Sequence, residues 1–172
     1  MGSVIPPVRL SPPVPLAGEH DLTRFDCGEP VLDDWLRLRA RKNESRFSRT
    51  YVVCDGERVA AYVCISAGSI QRADAPASLR RNAPDALPIA IIGRLAVDRA
   101  YAGRGLGGDL LADALRRIVH ASQTIGIAAI LVQAKSESAR QFYLSCAEFI
   151  AYPSDSRTLF LPIETLRRVL PE

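Results

Sequence analysis

Hydrophobic positions along this chain change period several times, and each change marks a predicted element. From residue 30 to 42, Val31, Leu32, Trp35, Leu36 and Leu38 recur at helical spacing, with arginines largely on the other side and Pro30 suited to a first turn, so a helix ending near Lys42 is predicted. Residues 49–54 and 59–66 are rich in β-branched side chains and are joined through Asp55-Gly56, which predicts a hairpin. Residues 71–88 show neither periodicity nor an apolar run and read as a long loop, of the kind more often functional than idle. Residues 89–97 form a nearly continuous apolar strand, suited to the centre of a sheet. After a glycine turn, Leu110, Leu111, Ala114, Leu115, Ile118 and Val119 fall on one face of a helix that ends by Gly126. Residues 128–132 predict a further buried strand, Ser138 a cap for a helix to about Cys146, and residues 158–161 a last strand before a short terminal helix. Pro6, Pro7, Pro12, Pro13 and Pro15 make residues 1–18 a Pro-rich segment in which residues 8–10 form at most a short edge strand. Antiparallel strands followed by strand, helix, strand, helix, strand predict an α+β fold with a mixed sheet, in one domain spanning 1–172.

The chain's 172 residues suffice for one core. No apolar run approaches the roughly 18 residues of a membrane span, and the N-terminus lacks a basic-then-apolar signal, so a cytoplasmic protein without a membrane partner is expected. Cys27, Cys54, Cys64 and Cys146 are scattered with no C-x-x-C pair and lie far from His20 and His120, which predicts buried reduced thiols and no metal site. Net charge is +3, but the basic residues are uneven. Arg37, Arg39, Arg41, Lys42, Arg46 and Arg49 face the single acid Glu44, and Arg80 and Arg81 sit together in the predicted loop. Such a cluster suits phosphate and reads either as an RNA footprint or as a solvated helix face.

The junction after the central strand carries the most chemistry. Gly103-Arg104-Gly105-Leu106-Gly107-Gly108 lets backbone N–H groups crowd one point, and the start of the next helix turns its unpaired N–H groups and positive dipole end toward it. A diphosphate fits such a cradle; a ligand-free glycine cap is the alternative. No Lys-Ser or Lys-Thr follows the last glycine, as a triphosphate loop requires, and the preceding residues do not read as the βαβ series of a dinucleotide fold.

The turn resembles the acetyl-coenzyme A motif of the GNAT acetyltransferases, Arg or Gln, two residues, Gly, one residue, then Gly or Ala. Gly105 and Gly107 match, whereas Ala102 stands where the family places Arg or Gln, so that side-chain contact is missing or is replaced by Arg104 or Arg99. The order of elements is also the GNAT order, implying a mixed, mostly antiparallel sheet of about six to seven strands flanked by helices. A closer resemblance, from about Asp21 onward, is to the GNAT toxins of bacterial toxin–antitoxin modules. It rests on residues 25–28 (Phe-Asp-Cys-Gly), 32–36 (Leu-Asp-Asp-Trp-Leu), 48–53 (Ser-Arg-Thr-Tyr-Val-Val), 93–98 (Gly-Arg-Leu-Ala-Val-Asp) and 139–143 (Ala-Arg-Gln-Phe-Tyr). One departure follows Phe142-Tyr143, where this chain has an extra residue and no glycine before Phe149.

That resemblance implies acetyl transfer from acetyl-CoA to the amino group of an aminoacyl-tRNA, a ribbon-helix-helix antitoxin and a homodimer. It implies Tyr143 as general acid toward the departing sulfur, a core aromatic beside Phe142 being the other reading, and Glu148 as at most an auxiliary base. Main-chain groups of Leu95, Ala96 and Val97 would pair with the pantetheine arm, and Gly103, Arg104, Gly105, Leu106, Gly107 and Gly108 would take the diphosphate. Arg37, Arg41, Lys42, Arg46, Arg49, Arg80, Arg81 and Arg94 then read as contacts to the acceptor stem. Two competitors are a GNAT enzyme for a small amine, for which no acidic cluster is visible, and a non-catalytic acyl-CoA-binding adaptor in which Tyr143 is only structural.

Overall fold

The computed structural model describes residues 8–152 and 155–170. Pro6 and Pro7 of the proline-rich segment lie outside the described residues. Seven strands form one sheet in the order β1-β2-β3-β4-β5-β7-β6. They are β1 (Val14–Pro15), β2 (Arg49–Asp55), β3 (Arg58–Gln71), β4 (Ala86–Val97), β5 (Ala129–Gln133), β6 (Ile150–Tyr152) and β7 (Asp155–Pro162). The sheet is mixed: β4 and β5 run parallel, whereas β1 with β2, β5 with β7 and β6 with β7 are antiparallel. The helices are α1 (Pro30–Leu38), α2 (Ala40–Asn43), α3 (Ala77–Arg80), α4 (Leu106–Ala121), α5 (Glu137–Cys146) and α6 (Ile163–Val169). Contacts divide the chain into two compact units, residues up to Val63 with Arg94–Leu110, and Cys64–Gly93 with the residues from Leu111.

In the first unit, Leu16, Leu22, Phe25, Leu36, Val52, Val59, Tyr62 and Ala96 make one buried cluster. Gly56, at φ +62°, supplies the left-handed residue of the two-residue turn that joins β2 to β3. The edge strand forms at Val14–Pro15, four residues beyond the expected 8–10, where only Leu10 bridges to Asp55. Pro15 tolerates this position because an edge needs no donor on its outer side. The predicted helix 30–42 is two helices, because Arg39 (φ −121°, ψ −31°) leaves helical geometry after its N–H closes on Trp35 O. Val31 and Leu38, expected in its apolar stripe, are exposed, and Asp33 is buried instead. Asp33 tolerates burial because its Oδ1 accepts the Cys27 N–H at 2.8 Å.

In the second unit, Leu111, Ala114, Leu115, Ile118 and Val119 of α4 are all buried, as are Ala129, Ile130 and Val132 of β5 and Leu159, Phe160 and Leu161 of β7. Arg167 ties α6 to Ser122 Oγ at 3.1 Å. The predicted loop 71–88 shrinks to residues 72–85, since β3 continues to Gln71 and β4 starts at Ala86, and a 3₁₀ turn and α3 occupy part of it. β6 has no counterpart among the predicted elements; its three residues give too little pattern to read. The first of the four thiols, Cys27, is half-buried and Cys146 is exposed, contrary to expectation, while Cys54 and Cys64 are buried and none of the four forms a disulfide. Burial pushes the Cys54 thiol up to about 11.

Gly68 of β3 lies against the Ile91 side chain of β4, since a Cβ there would lie 2.6 Å from Ile91 Cδ1, so that terminal methyl would have to turn aside for any larger residue. Gly68→Val should therefore cost about 1–3 kcal/mol, read as a lower denaturant midpoint at unchanged m-value. An unchanged midpoint would mean that Ile91 moves aside freely.

Candidate active site

In the first unit the end of β4 runs into the glycine turn. Leu95 and Val97 are half-buried and Ala96 is buried. The parallel register of β4 with β5 runs from Ile89↔Ala129 to Ile92↔Val132 and stops there, while β4 itself continues to Val97. The next residue, Asp98, is buried, and its carboxylate is fully used: it accepts from Ala100 N at 2.8 Å and Asp26 N at 3.0 Å, and pairs with Arg58 at 3.5 Å. Asp98 N in turn donates to Ala60 O, and Arg99 N to Asp26 O. The strand's exit is thereby clamped to β3 and to the 25–28 loop. Gly28 closes that loop in the left-handed region (φ +90°), and the Arg99 guanidinium beside Asp26 holds its carboxyl below the usual range.

A 3₁₀ turn, Arg99–Tyr101, then leads to Gly103 (φ +78°) and Gly105 (φ +76°), where a side chain would be strained. The glycine turn is shorter than the sequence implies: Leu106, Gly107 and Gly108 already form the first turn of α4. The first intrahelical bond is Asp109 N to Gly105 O at 3.1 Å, so the N–H groups of Leu106, Gly107 and Gly108 precede the ladder. A Cβ built on Gly103, Gly105 or Gly108 meets nothing within 4 Å. Three uncommitted donors, open space and a helix dipole together fit an anionic diphosphate.

Tyr143 belongs to the second unit. Its helix starts at Glu137, capped by Ser136, whose Oγ accepts Ala139 N at 3.1 Å; Ser138, the expected cap, lies inside the first turn. Tyr143 sits in the second half of α5. The ring is buried, edge-on to Phe142 and Phe149 at centroid distances of 5.3 and 5.9 Å, and its hydroxyl has no hydrogen-bond partner among the described residues. Desolvation, with a smaller contribution from Cys146, pushes its pKa up to about 12. The helix ends without glycine because Ala147 takes up an extended conformation (φ −158°, ψ 170°), which turns Phe149 inward and leaves Glu148 exposed.

The raised phenol has a stability consequence. Between about pH 10, where the unfolded tyrosine ionises, and pH 12, the folded state holds one proton more than the unfolded state, so stability falls as pH rises. Wild type should lose about 1 kcal/mol more than Tyr143→Phe by pH 11, read as diverging unfolding free energies. Parallel curves would place the hydroxyl in water.

The arginines separate into two groups. Arg37 Nη1 donates to Phe25 O at 2.7 Å and pairs with Asp34, and Arg41 donates to the carbonyls of Ala17, Gly18 and His20. Arg49 pairs with Glu44 at 3.7 Å, and the Arg94 guanidinium stacks 4.3 Å from the Trp35 ring centroid. Lys42, Arg46, Arg80 and Arg81 are exposed with no carboxylate partner among the described residues; Arg46 lies over the Phe47 ring at 5.4 Å. Asp26, Arg58, Asp98 and Tyr101, which frame the turn, were given no role from sequence; the signal was the acid ending the apolar strand just before the glycines. Among the described residues no cluster of three metal-ligating side chains occurs, and no helix is long and apolar enough to cross a membrane.

The sequence model described as the acetyltransferase (GNAT) family matches residues 17–149. A Mycobacterium tuberculosis protein described as a tRNA-acetylating toxin is 43% identical over 161 residues, 93% of this chain and 96% of its own. The solved structure of AtaT complexed with acetyl-methionyl-tRNAfMet superposes with a TM-score of 0.84 at 30% identity, covering 94% of this chain and 99% of that one. A tyrosine-to-phenylalanine variant of the AtaT toxin, bound to the C-terminus of the antitoxin AtaR and acetyl-CoA, matches with a TM-score of 0.79 at 29% identity, over 95% and 99% of the two chains. The likeness extends over nearly the full length of each protein, and with the family match it settles the assignment: the chain belongs to the GNAT acetyltransferase family.

Proposed function

We propose that this chain moves the acetyl group of acetyl-CoA onto the α-amino group of an aminoacyl-tRNA, which stops translation, and that a cognate antitoxin silences it. The observation that carries this reading is 43% identity, across nearly the whole chain, to a protein described as a tRNA-acetylating toxin. AtaT, solved with an acetyl-methionyl-tRNA, supports the same acceptor. The single family match across residues 17–149 supports one GNAT domain. A ribbon-helix-helix fold for the antitoxin, a homodimeric enzyme and a cytoplasmic location complete the proposal; the antitoxin complex of AtaT supports the first of these only as far as a partner.

Acetyl-CoA supplies an activated acyl thioester. The chain's share is to hold it, orient it and manage one proton. Leu106, Gly107 and Gly108 N–H groups bind the diphosphate, and the main chain of Leu95–Val97, past the end of the β5 ladder, pairs with the pantetheine arm. The Ala96 or Val97 N–H serves as donor to the carbonyl oxygen as negative charge builds there. An α-amino group ionises near 8, so roughly a tenth to a quarter of it is neutral between about pH 7 and 7.5 without a dedicated base, against well under about a hundredth of a lysine amine near 10.4. Glu148, exposed, need not act.

Tyr143 donates to the departing sulfur. With its pKa pushed up to about 12, the phenol stays protonated throughout the working range. Full transfer to a thiolate of ordinary acidity would be uphill by about three pH units, so the hydroxyl acts mainly as a hydrogen-bond donor while charge develops. As the carbon–sulfur bond breaks and the carbon–nitrogen bond forms, the proton shed by the amine replaces whatever Tyr143 gives up. Phosphate contacts from Lys42, Arg46, Arg80 and Arg81 supply acceptor affinity; Arg37, Arg41 and Arg49 already have internal partners, and Arg94 is held against Trp35.

Cell-free translation tests the proposal. Arrest should require acetyl-CoA and be absent with CoA alone; arrest without the thioester would contradict it.

A further inference from the structure

Residues 44–48 connect α2 to β2, and the turn they make is tied from within. The Asn43 carbonyl accepts from the N–H groups of Arg46, Phe47 and Ser48 at 3.3, 3.0 and 3.2 Å. Ser45 lies in the left-handed region (φ +71°), a conformation that a residue other than glycine keeps only where its surroundings hold it. Glu44 Oε2 accepts the Thr50 N–H at 2.9 Å and its Oε1 pairs with Arg49 at 3.7 Å, so the one acid of the turn is spent inside it.

This braced turn holds an aromatic ring out in solvent. Phe47 is 67% exposed, although phenylalanine is among the side chains that burial stabilises most. Its neighbours in sequence are cationic: the Arg46 guanidinium lies 5.4 Å from the ring centroid, and neither Lys42 nor Arg46 has a carboxylate partner among the described residues. An apolar protein face docked on the ring would strip water from those charges without pairing them. A single-stranded nucleic acid would not, because a base stacks on the ring while the phosphates beside it meet the cations. Bases within a duplex already stack on one another and leave no face for Phe47.

We propose that Phe47 is a stacking platform for an unpaired base in the single-stranded 3′ end of the RNA, the end that carries the amino acid. The inference rests on the aminoacyl-tRNA reading and adds a contact of a different kind. Cations attract phosphate whether the strand is paired or free, whereas the ring accepts only a base that stands outside a duplex, so Phe47 selects RNA with a free 3′ strand.

Fluorescence anisotropy of the full chain with two labelled RNA hairpins tests it without acetyl-CoA. Both carry the same single-stranded 3′ overhang, one with its bases and one with abasic sugars, so their phosphates are equal in number. Wild type should bind the hairpin with bases about tenfold more tightly, as expected for one base–aromatic stack. Phe47→Leu, which keeps apolar bulk without an aromatic face, should bind both as wild type binds the abasic one, and Phe47→Trp should keep the preference. The log–log salt slope should be the same in all three proteins, because no charge changes. Phe47 is exposed, so these variants leave the core intact. A preference that survives in Phe47→Leu would overturn the inference, and if that variant were altered only in self-association or in antitoxin binding, the ring would belong to a protein contact. Loss of the preference in Phe47→Trp, or equal weakening of both hairpins by Phe47→Leu, would overturn it too. Wild type that binds the two hairpins equally yet acetylates charged tRNA would overturn this inference alone; wild type that binds neither and leaves charged tRNA unacetylated would sink the acceptor reading beneath it.

Discussion

Tyr143→Phe should lower kcat for acetyl transfer by about a hundred- to ten-thousandfold, the usual span for removing a positioned proton donor, with the Kd for acetyl-CoA nearly unchanged. The ring stays, so the edge-on contacts with Phe142 and Phe149 survive. The hydroxyl has no partner within the described residues, so deleting it orphans no buried group, and stability below pH 10 should shift by less than about 1 kcal/mol. A binding adaptor would behave differently: there the substitution would alter neither kcat nor growth arrest. Single-turnover transfer to a charged tRNA at saturating acetyl-CoA separates the two, since it reports the chemical step alone.

Charge reversal of Lys42, Arg46, Arg80 and Arg81 to Glu should raise the KM for aminoacyl-tRNA by about a hundredfold at physiological salt and flatten the log–log salt dependence by about one unit for each phosphate no longer neutralised. KM for acetyl-CoA should not move. These four cations are chosen because nothing in the described fold neutralises them. Reversing Arg37 or Arg41 should act otherwise: it breaks bonds to Phe25 O or to the carbonyls at 17–20, so it should lower stability before it changes RNA affinity. A salt slope unaltered in the fourfold variant would remove these positions from the acceptor surface.

Composition alone could not have divided the arginines in this way. A guanidinium bound to a carbonyl 12 residues away in sequence, as in Arg37 with Phe25, looks identical in sequence to one facing solvent. The amphipathic helix α4 was legible because its buried face is long and purely aliphatic, and each of its six marked positions is buried. α1 was legible as a helix but not in its facing. Buried Asp33, satisfied by Cys27 N, and exposed Val31 and Leu38 reverse the simple apolar-in rule over its few turns. The ends of β3 and β4 were underestimated because the residues near Gln71 and Ala86 are largely exposed, so no apolar signal marks them. The turn was recognised from its glycines, yet how the strand's exit is fixed depended on Asp98, which gathers donors from residues 26, 58 and 100. Tyr143 was found through the neighbouring residues it shares with a family, and its raised pKa, a product of burial, is invisible in sequence.

The central claim is that the amine receiving the acetyl group is the α-amino group of an amino acid esterified to tRNA. Incubating the protein with labelled acetyl-CoA and total charged tRNA, then releasing the amino acids by mild base and identifying them by mass spectrometry, examines that bond directly. The account predicts label on N-acetylated amino acids released from charged tRNA, and none when the tRNA is deacylated beforehand. Label retained by deacylated tRNA, or carried by free polyamines or aminoglycosides with charged tRNA untouched, would contradict it.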